Sequence, residues 1–183
     1  MSLAETDMDD EGVTLLRKAL AEYNALDSLD LSFNNSITLE GWQGFFKYFR
    51  SPNFPLKTLK LGNCSIGDEG VVVIMEFLKR NVRTKGLSLD SSMITSRGLR
   101  TIFDTLLAYE TTIQDLDLLG NDIDFGEFTA EDVHLISRTL CDKTSIESTY
   151  FSKHIGCKIR FGKFDDNVDK LWYDIQSLLE MEA

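Results

Sequence analysis

A leucine pair that recurs about every 29 residues constrains this chain more than any other feature. Leu29-Asp30-Leu31, Leu59-Lys60-Leu61, Leu87-Ser88-Leu89 and Leu116-Asp117-Leu118 share one pattern, with first leucines 30, 28 and 29 residues apart. Thr149-Tyr150-Phe151, 33 residues further on, reads as a fifth, degenerate copy. Leu26, Leu56, Thr84, Ile113 and Ile146 stand three residues before the pairs, and Asn34, Cys64, Ser92 and Asn121 three residues after them. One isoleucine per copy follows (Ile37, Ile66, Ile94, Ile123), and in the first three copies a glycine comes four residues later (Gly41, Gly70, Gly98). Apolar residues then return at helical spacing: Phe45 and Phe49, Ile74 and Leu78, Ile102 and Leu106. In the fourth copy Ile136 and Leu140 fill these places after an insertion around Phe125–Asp132, and Gly12, Leu16 and Leu20 form a leading half-copy. A unit this short cannot bury its apolar face alone, so its neighbours must stack.

The register L-x-x-L-x-L-x-x-N/C-x-I-x-x-x-G followed by a helix resembles the leucine-rich repeats of the ribonuclease-inhibitor-like subclass. Leu56–Leu78 matches it at every position, and the resemblance runs from Gly12 to about Ser152. It implies an α/β fold: a right-handed solenoid with parallel concave strands and convex helices, about five repeats plus caps. On this basis residues 1–183 form one domain. Residues 1–25 are an N-terminal capping helix, 26–152 the repeats, and 153–183 a C-terminal cap. Within that cap Lys153–Lys163 alternates apolar residues, and Asp165–Leu179 reads as an amphipathic helix, either a cap or a partner-docking element. Met1-Ser2-Leu3 reads as an expression-vector remnant and carries no weight here.

Within each strand the paired leucines face inward and their neighbours outward. The Asn or Cys position turns the chain and satisfies backbone groups, with Cys64 a structural thiol. The glycine permits either a close approach or a positive φ at the helix start.

Charge narrows the functions. The 183 residues carry 19 Lys+Arg against 30 Asp+Glu, a formal charge of −11. Without a basic patch, such a surface repels phosphate backbones and anionic lipid, so neither nucleic acid nor membrane is an expected partner. Three scattered cysteines (Cys64, Cys141, Cys157) and the absence of a signal-peptide pattern point to a cytoplasmic setting.

The chemistry-bearing motifs fail on inspection. Asp115-x-Asp117 opens something like an EF-hand loop, but Leu119 holds the fifth place and Gly126 the twelfth, where a bidentate acid is required. Lys18 breaks the same pattern after Asp7. His134 and His154 lie in different layers with no zinc spacing to any cysteine. No nucleophile elbow, P-loop or dinucleotide fingerprint occurs. The sequons at Asn34 and Asn63 fall in the turn row and read as chance. No catalytic residue, metal or cofactor is expected.

The outward strand row is where binding is expected. Asp30, Phe33, Lys60, Asp90, Asp115, Asp117, Leu119 and Tyr150 are its candidate contacts, with Phe33, Leu119 and Tyr150 as apolar anchors within an acidic rim. The expected role is a non-enzymatic protein-interaction module, a monomer with a protein partner whose surface is basic. The competing explanation of the aspartates is that they only keep the solenoid soluble. Two further alternatives are a GTPase regulator, as in the Ran GTPase-activating proteins that share the repeat subclass, and the repeat region of a larger receptor or adaptor.

Overall fold

In a computed structural model the strands and helices alternate along the chain. Residues 1–22, 25–48, 55–81, 83–109, 113–124, 127–142 and 158–160 are described. The order is α1 (Asp10–Glu22), β1 (Ser28–Asp30), α2 (Leu39–Tyr48), β2 (Thr58–Lys60), α3 (Gly67–Leu78), β3 (Gly86–Ser88), α4 (Ser96–Ala108), β4 (Asp115–Asp117), α5 (Ala130–Asp142) and β5 (Lys158–Arg160). The strands form one parallel sheet in chain order, and each helix packs on the next. This is a leucine-rich-repeat solenoid.

The register aligns the leucine rows. Leu29, Leu59, Leu87 and Leu116 sit side by side across β1 to β4, with Ile159 of β5 completing the row. These leucines, together with Leu31, Leu61, Leu89 and Leu118, are buried with the helix residues Ile74, Leu78, Ile102 and Ile136. Trp42, Phe45 and Phe46 of α2 meet Phe77 of α3 in an aromatic cluster whose adjacent ring centroids are 5.2 to 6.3 Å apart. Apolar burial of this extent is the main term holding the stack together.

Inside the turns, one side chain per copy reaches back to the copy before. Asn34 Nδ2 donates to Leu3 O and Leu31 O at 2.9 and 2.8 Å, and its Oδ1 accepts from Met8 N and Thr6 N. Asn121 repeats this with Leu89 O and Leu118 O as acceptors and Ser92 N and Ile94 N as donors. The Cys64 thiol donates to Leu31 O at 3.1 Å, and the Ser92 hydroxyl to Leu61 O at 3.0 Å. Burial pushes the Cys64 thiol up to about 11, against the pull of backbone hydrogen bonds near Asn34 and Phe33, so it stays protonated.

One open alternative resolves and three expectations change. The glycine of each repeat serves close approach rather than a positive φ: a Cβ on Gly98 would run into Asp68 Oδ1 and Ile94 Cγ2, and one on Gly41 into Asp10 Oδ1. Met1–Leu3, set aside as a remnant, lies parallel to β1. Ser2 bridges Asp30, and Leu3 N donates to Asp30 O at 2.8 Å. The leading half-copy is therefore nearly a full one, because Leu3 packs against the core and its carbonyl serves Asn34. Finally, the fifth place in the sheet belongs to Lys158–Arg160, not to Thr149–Phe151. The period-two run Ile155, Cys157, Ile159, Phe161 is the strand signal that the repeat count had assigned to the cap. Thr149–Phe151 and the expected helix Asp165–Leu179 lie outside the described residues.

Candidate functional site

The outward strand row curves into one open groove of about 480 Å³. Asp30, Phe33, Lys60, Asp90, Asp115 and Asp117 all line it, so six of the eight sequence candidates come together. Leu119 is exposed on the turn after β4, outside the lining. Tyr150 falls outside the described residues.

Short strands position these groups by alternation. Asp30, Lys60, Ser88 and Asp117 occupy one register row, continued by Arg160. Ser28, Thr58, Gly86 and Asp115 occupy another, continued by Lys158. The floor over β3 is low because Gly86 and Ser88 are small. Ala4 and Glu5 add a wall beside Phe33. Sequence reasoning missed these two. The signal was there: Asp10-Glu11-Gly12-Val13 repeats Asp68-Glu69-Gly70-Val71, which places Met1-Ser2-Leu3 in the strand row.

Electrostatically the groove is divided. The Lys60 ammonium lies 3.8 Å from an Asp30 oxygen, so the β1–β2 half is locally balanced. Asp90 is held by neutral donors, the Ser88 hydroxyl and the Asn63 amide at 3.5 Å. Its carboxylate leans over Gly62, where any Cβ would collide with it. Asp117 Oδ1 accepts from Leu119 N at 3.2 Å. Asp90, Asp115 and Asp117 thus form an acidic strip next to Lys60 in the groove lining. In the register, β5 sets Lys158 beside Asp115 and Arg160 beside Asp117.

Phe33 stands apart by its side chain, not by its backbone. The residue two places after the second leucine adopts a positive φ in every copy: Glu5 at 56°, Phe33 at 63°, Asn63 at 54°, Ser91 at 48° and Gly120 at 68°. Glycine and asparagine are at ease there, whereas a bulky aromatic is strained by about 1–2 kcal/mol. Phe33, 47% exposed as a residue, nevertheless occupies the position at the groove wall. Among the described residues, no three His, Cys, Asp or Glu side chains converge to hold a metal ion.

The sequence profile described as Leucine Rich repeat matches residues 26–45 and 53–75. Over 125 residues, 68% of its length, the chain is 33% identical to NACHT, LRR and PYD domains-containing protein 13 of Homo sapiens. Over 105 residues, 57% of its length, it is 30% identical to NACHT, LRR and PYD domains-containing protein 5 of Mus musculus. It spans 12% and 9% of these two proteins. Among solved structures it is similar to Leiomodin-1 Actin-Binding Site 2, with a TM-score of 0.60 and 20% identity, covering 94% of this chain and 90% of that one. The tropomodulin C-terminal domain of Caenorhabditis elegans gives 0.63 at 10% identity, covering 94% and 92%. At these identities the likeness is one of fold.

Proposed function

Because the chain is a leucine-rich-repeat protein, we propose that it is a non-catalytic interaction module that holds a protein partner on its concave strand face. The observation that carries this reading is Phe33. An aromatic kept half-exposed at a strained backbone position, on the wall of the concave groove, has no packing reason to be there. Strain of that kind persists where a side chain is needed for contact, and aromatics dominate binding hot spots. The mixed charges around it suit register and on-rate more than raw affinity. One solved neighbour is an actin-binding site of leiomodin-1, which supports a protein as the class of partner; a cytoplasmic setting for this chain is part of the same proposal. No described helix is long and apolar enough to cross a membrane.

A second reading, the repeat region of a receptor or adaptor, draws on the small share of the NACHT, LRR and PYD relatives that the chain spans. It leaves the same face in use. The GTPase-regulating alternative would show as stimulated GTP hydrolysis, and no described residue set favours it.

The test is capture from cell extract by wild type, Phe33→Ala and Val72→Ala, the last removing an exposed apolar side chain from the helical side. A partner lost only with Phe33→Ala supports the concave face. Equal capture by all three variants overturns it.

A further inference from the structure

Helix α1 leaves exposed the side that α3 and α4 bury. Aligned on Gly12, Gly70 and Gly98, Leu15 and Ala19 of α1 hold the places of Val73 and Phe77 in α3 and of Thr101 and Thr105 in α4. Those places face the preceding helix: Val73 and Phe77 share a surface with Gln43 and Phe46 of α2, and the Phe46 and Phe77 rings are 5.2 Å apart. Phe77 and Thr105 are buried there, whereas Ala19 is exposed and Leu15 is 58% exposed. Arg17, on the other side of α1, donates to Gly44 O of α2. The exposed stripe is therefore the one turned away from the stack.

The strand beside it is open in the same direction. Asp30 N–H donates to Met1 O, while Leu3 N–H and Glu5 N–H donate to Asp30 O and Ser32 O. One copy earlier in the register, Ser2 N–H, Ser2 O and Ala4 O point away from β1, and they have no partner among the described residues. Such an edge is a template for pairing with another chain. Charge selects the mate. Glu11 and Lys18, both exposed, lie four residues before and three after Leu15. In two α1 helices packed antiparallel about Leu15, Glu11 of each meets Lys18 of the other. A preceding repeat that offered an aspartate to the helix start, as Asp68 does to Thr95, would instead meet the carboxylate of Asp9, which already caps α1 by accepting from Gly12 N at 2.9 Å.

We propose that this end of the solenoid binds a second copy of the chain about a twofold axis, so that the chain self-associates where its sequence led us to expect a monomer. Leu15 packs on its own counterpart, and two Glu11–Lys18 pairs close on either side of it. Ser2 exchanges N–H···O bonds with its counterpart in an antiparallel pair. One axis serves both elements, because an axis that reverses the edge strands also reverses the helices behind them. The two concave grooves then meet at the seam, since Ala4 and Glu5 belong to the groove wall.

Sedimentation equilibrium of the full chain across the micromolar range reads the mass. Wild type should reach twice the mass of one chain. Leu15→Arg should stay a monomer over the same range and, because the side chain is exposed, should melt like dilute wild type. Met93→Arg, which places the same charge on an exposed apolar position in the turn after β3, should dimerise like wild type. Glu11→Lys and Lys18→Glu should each weaken dimerisation about tenfold by setting like charges together. The double variant should restore it, which no contact within one helix can do, because the two positions are about two turns apart. A wild-type monomer at every concentration, a dimer that survives Leu15→Arg, or a double variant no better than the single ones overturns the proposal. If Leu15→Arg fails to fold, the charge reversal decides alone. Capture by Phe33→Ala tests the concave face separately from all of these.

Discussion

The carboxylate of Asp68, on the first turn of α3, receives both the backbone N–H and the hydroxyl of Thr95 at 2.9 and 2.7 Å, and Thr95 is the N-cap of α4. One copy thus fixes where the next helix begins. Asp10 does the same for Thr38, at 2.8 and 2.7 Å. Gly98 and Gly41 are the glycines that make room for those carboxylates. Gly98→Ala should therefore destabilise by about 1–3 kcal/mol, although alanine is the better helix former by about 1 kcal/mol. In an Asp68→Ala background the same change should cost clearly less. Urea unfolding of the four proteins in this cycle gives the coupling, and additive effects would contradict the contact.

The same carboxylate makes stability depend on acid. Burial raises the Asp68 pKa, but hydrogen bonds from Thr95 and the Arg97 guanidinium outweigh it and hold the group below its ordinary 3.8. Asp132 follows suit, with burial overcome by Arg100 and Thr129. A depressed native pKa means that the unfolded chain takes up protons first as pH falls. Their stabilisation is complete above about pH 4 to 5 and is lost as pH drops through the native values. The stability gap between wild type and Asp68→Asn should be present at pH 6 and shrink steadily as pH falls below the ordinary 3.8, measured by urea midpoints across that range.

Cys64 and Ser92 perform one task with different donors, each bonding the carbonyl of the second leucine in the preceding copy. Cys64→Ser should cost less than about 1 kcal/mol, since the hydroxyl is the stronger donor and the loss is one of packing. Asn34→Ala removes partners for several backbone groups at once and should cost about 2–4 kcal/mol. Thermal melts of the two variants should separate by several degrees. Mass-mapped alkylation should leave Cys64 unmodified in the folded protein, because its thiol is buried and protonated.

Most of the fold was legible because the repeat is written in residues whose role is local. The leucine pairs and the Asn, Cys or Ser turn each meet the same requirement in every copy. The first strand was missed because Met1–Leu3 lacks a leucine at its first position and looks like an unstructured start. The fifth was misplaced because the repeat length changes after α5, so counting forward by 29 or so residues lands on Thr149–Phe151. That error also shaped the site. Placing β5 at Lys158–Arg160 sets two basic residues beside Asp115 and Asp117, a neighbourhood that no reading of the aspartates alone could supply. Six candidate residues converged because outward strand positions share a face by geometry. Leu119 lies outside the lining although it holds the repeat position of Asp90 and its carbonyl still accepts from Ser91 N.

Phe33 separates contact from folding. It is half-exposed as a residue, so truncation removes some burial, and an Ala variant alone would confound that loss with the backbone strain. Phe33→Ala and Phe33→Gly remove the same ring, but only glycine relieves the positive φ of 63°. Phe33→Gly should therefore be the more stable of the two by about 1 kcal/mol, as read from urea unfolding, while both lose partner binding to the same degree. Equal stabilities would mean that the turn relaxes without strain. In that case the argument that Phe33 is retained for contact would lose its physical basis, whatever the binding result.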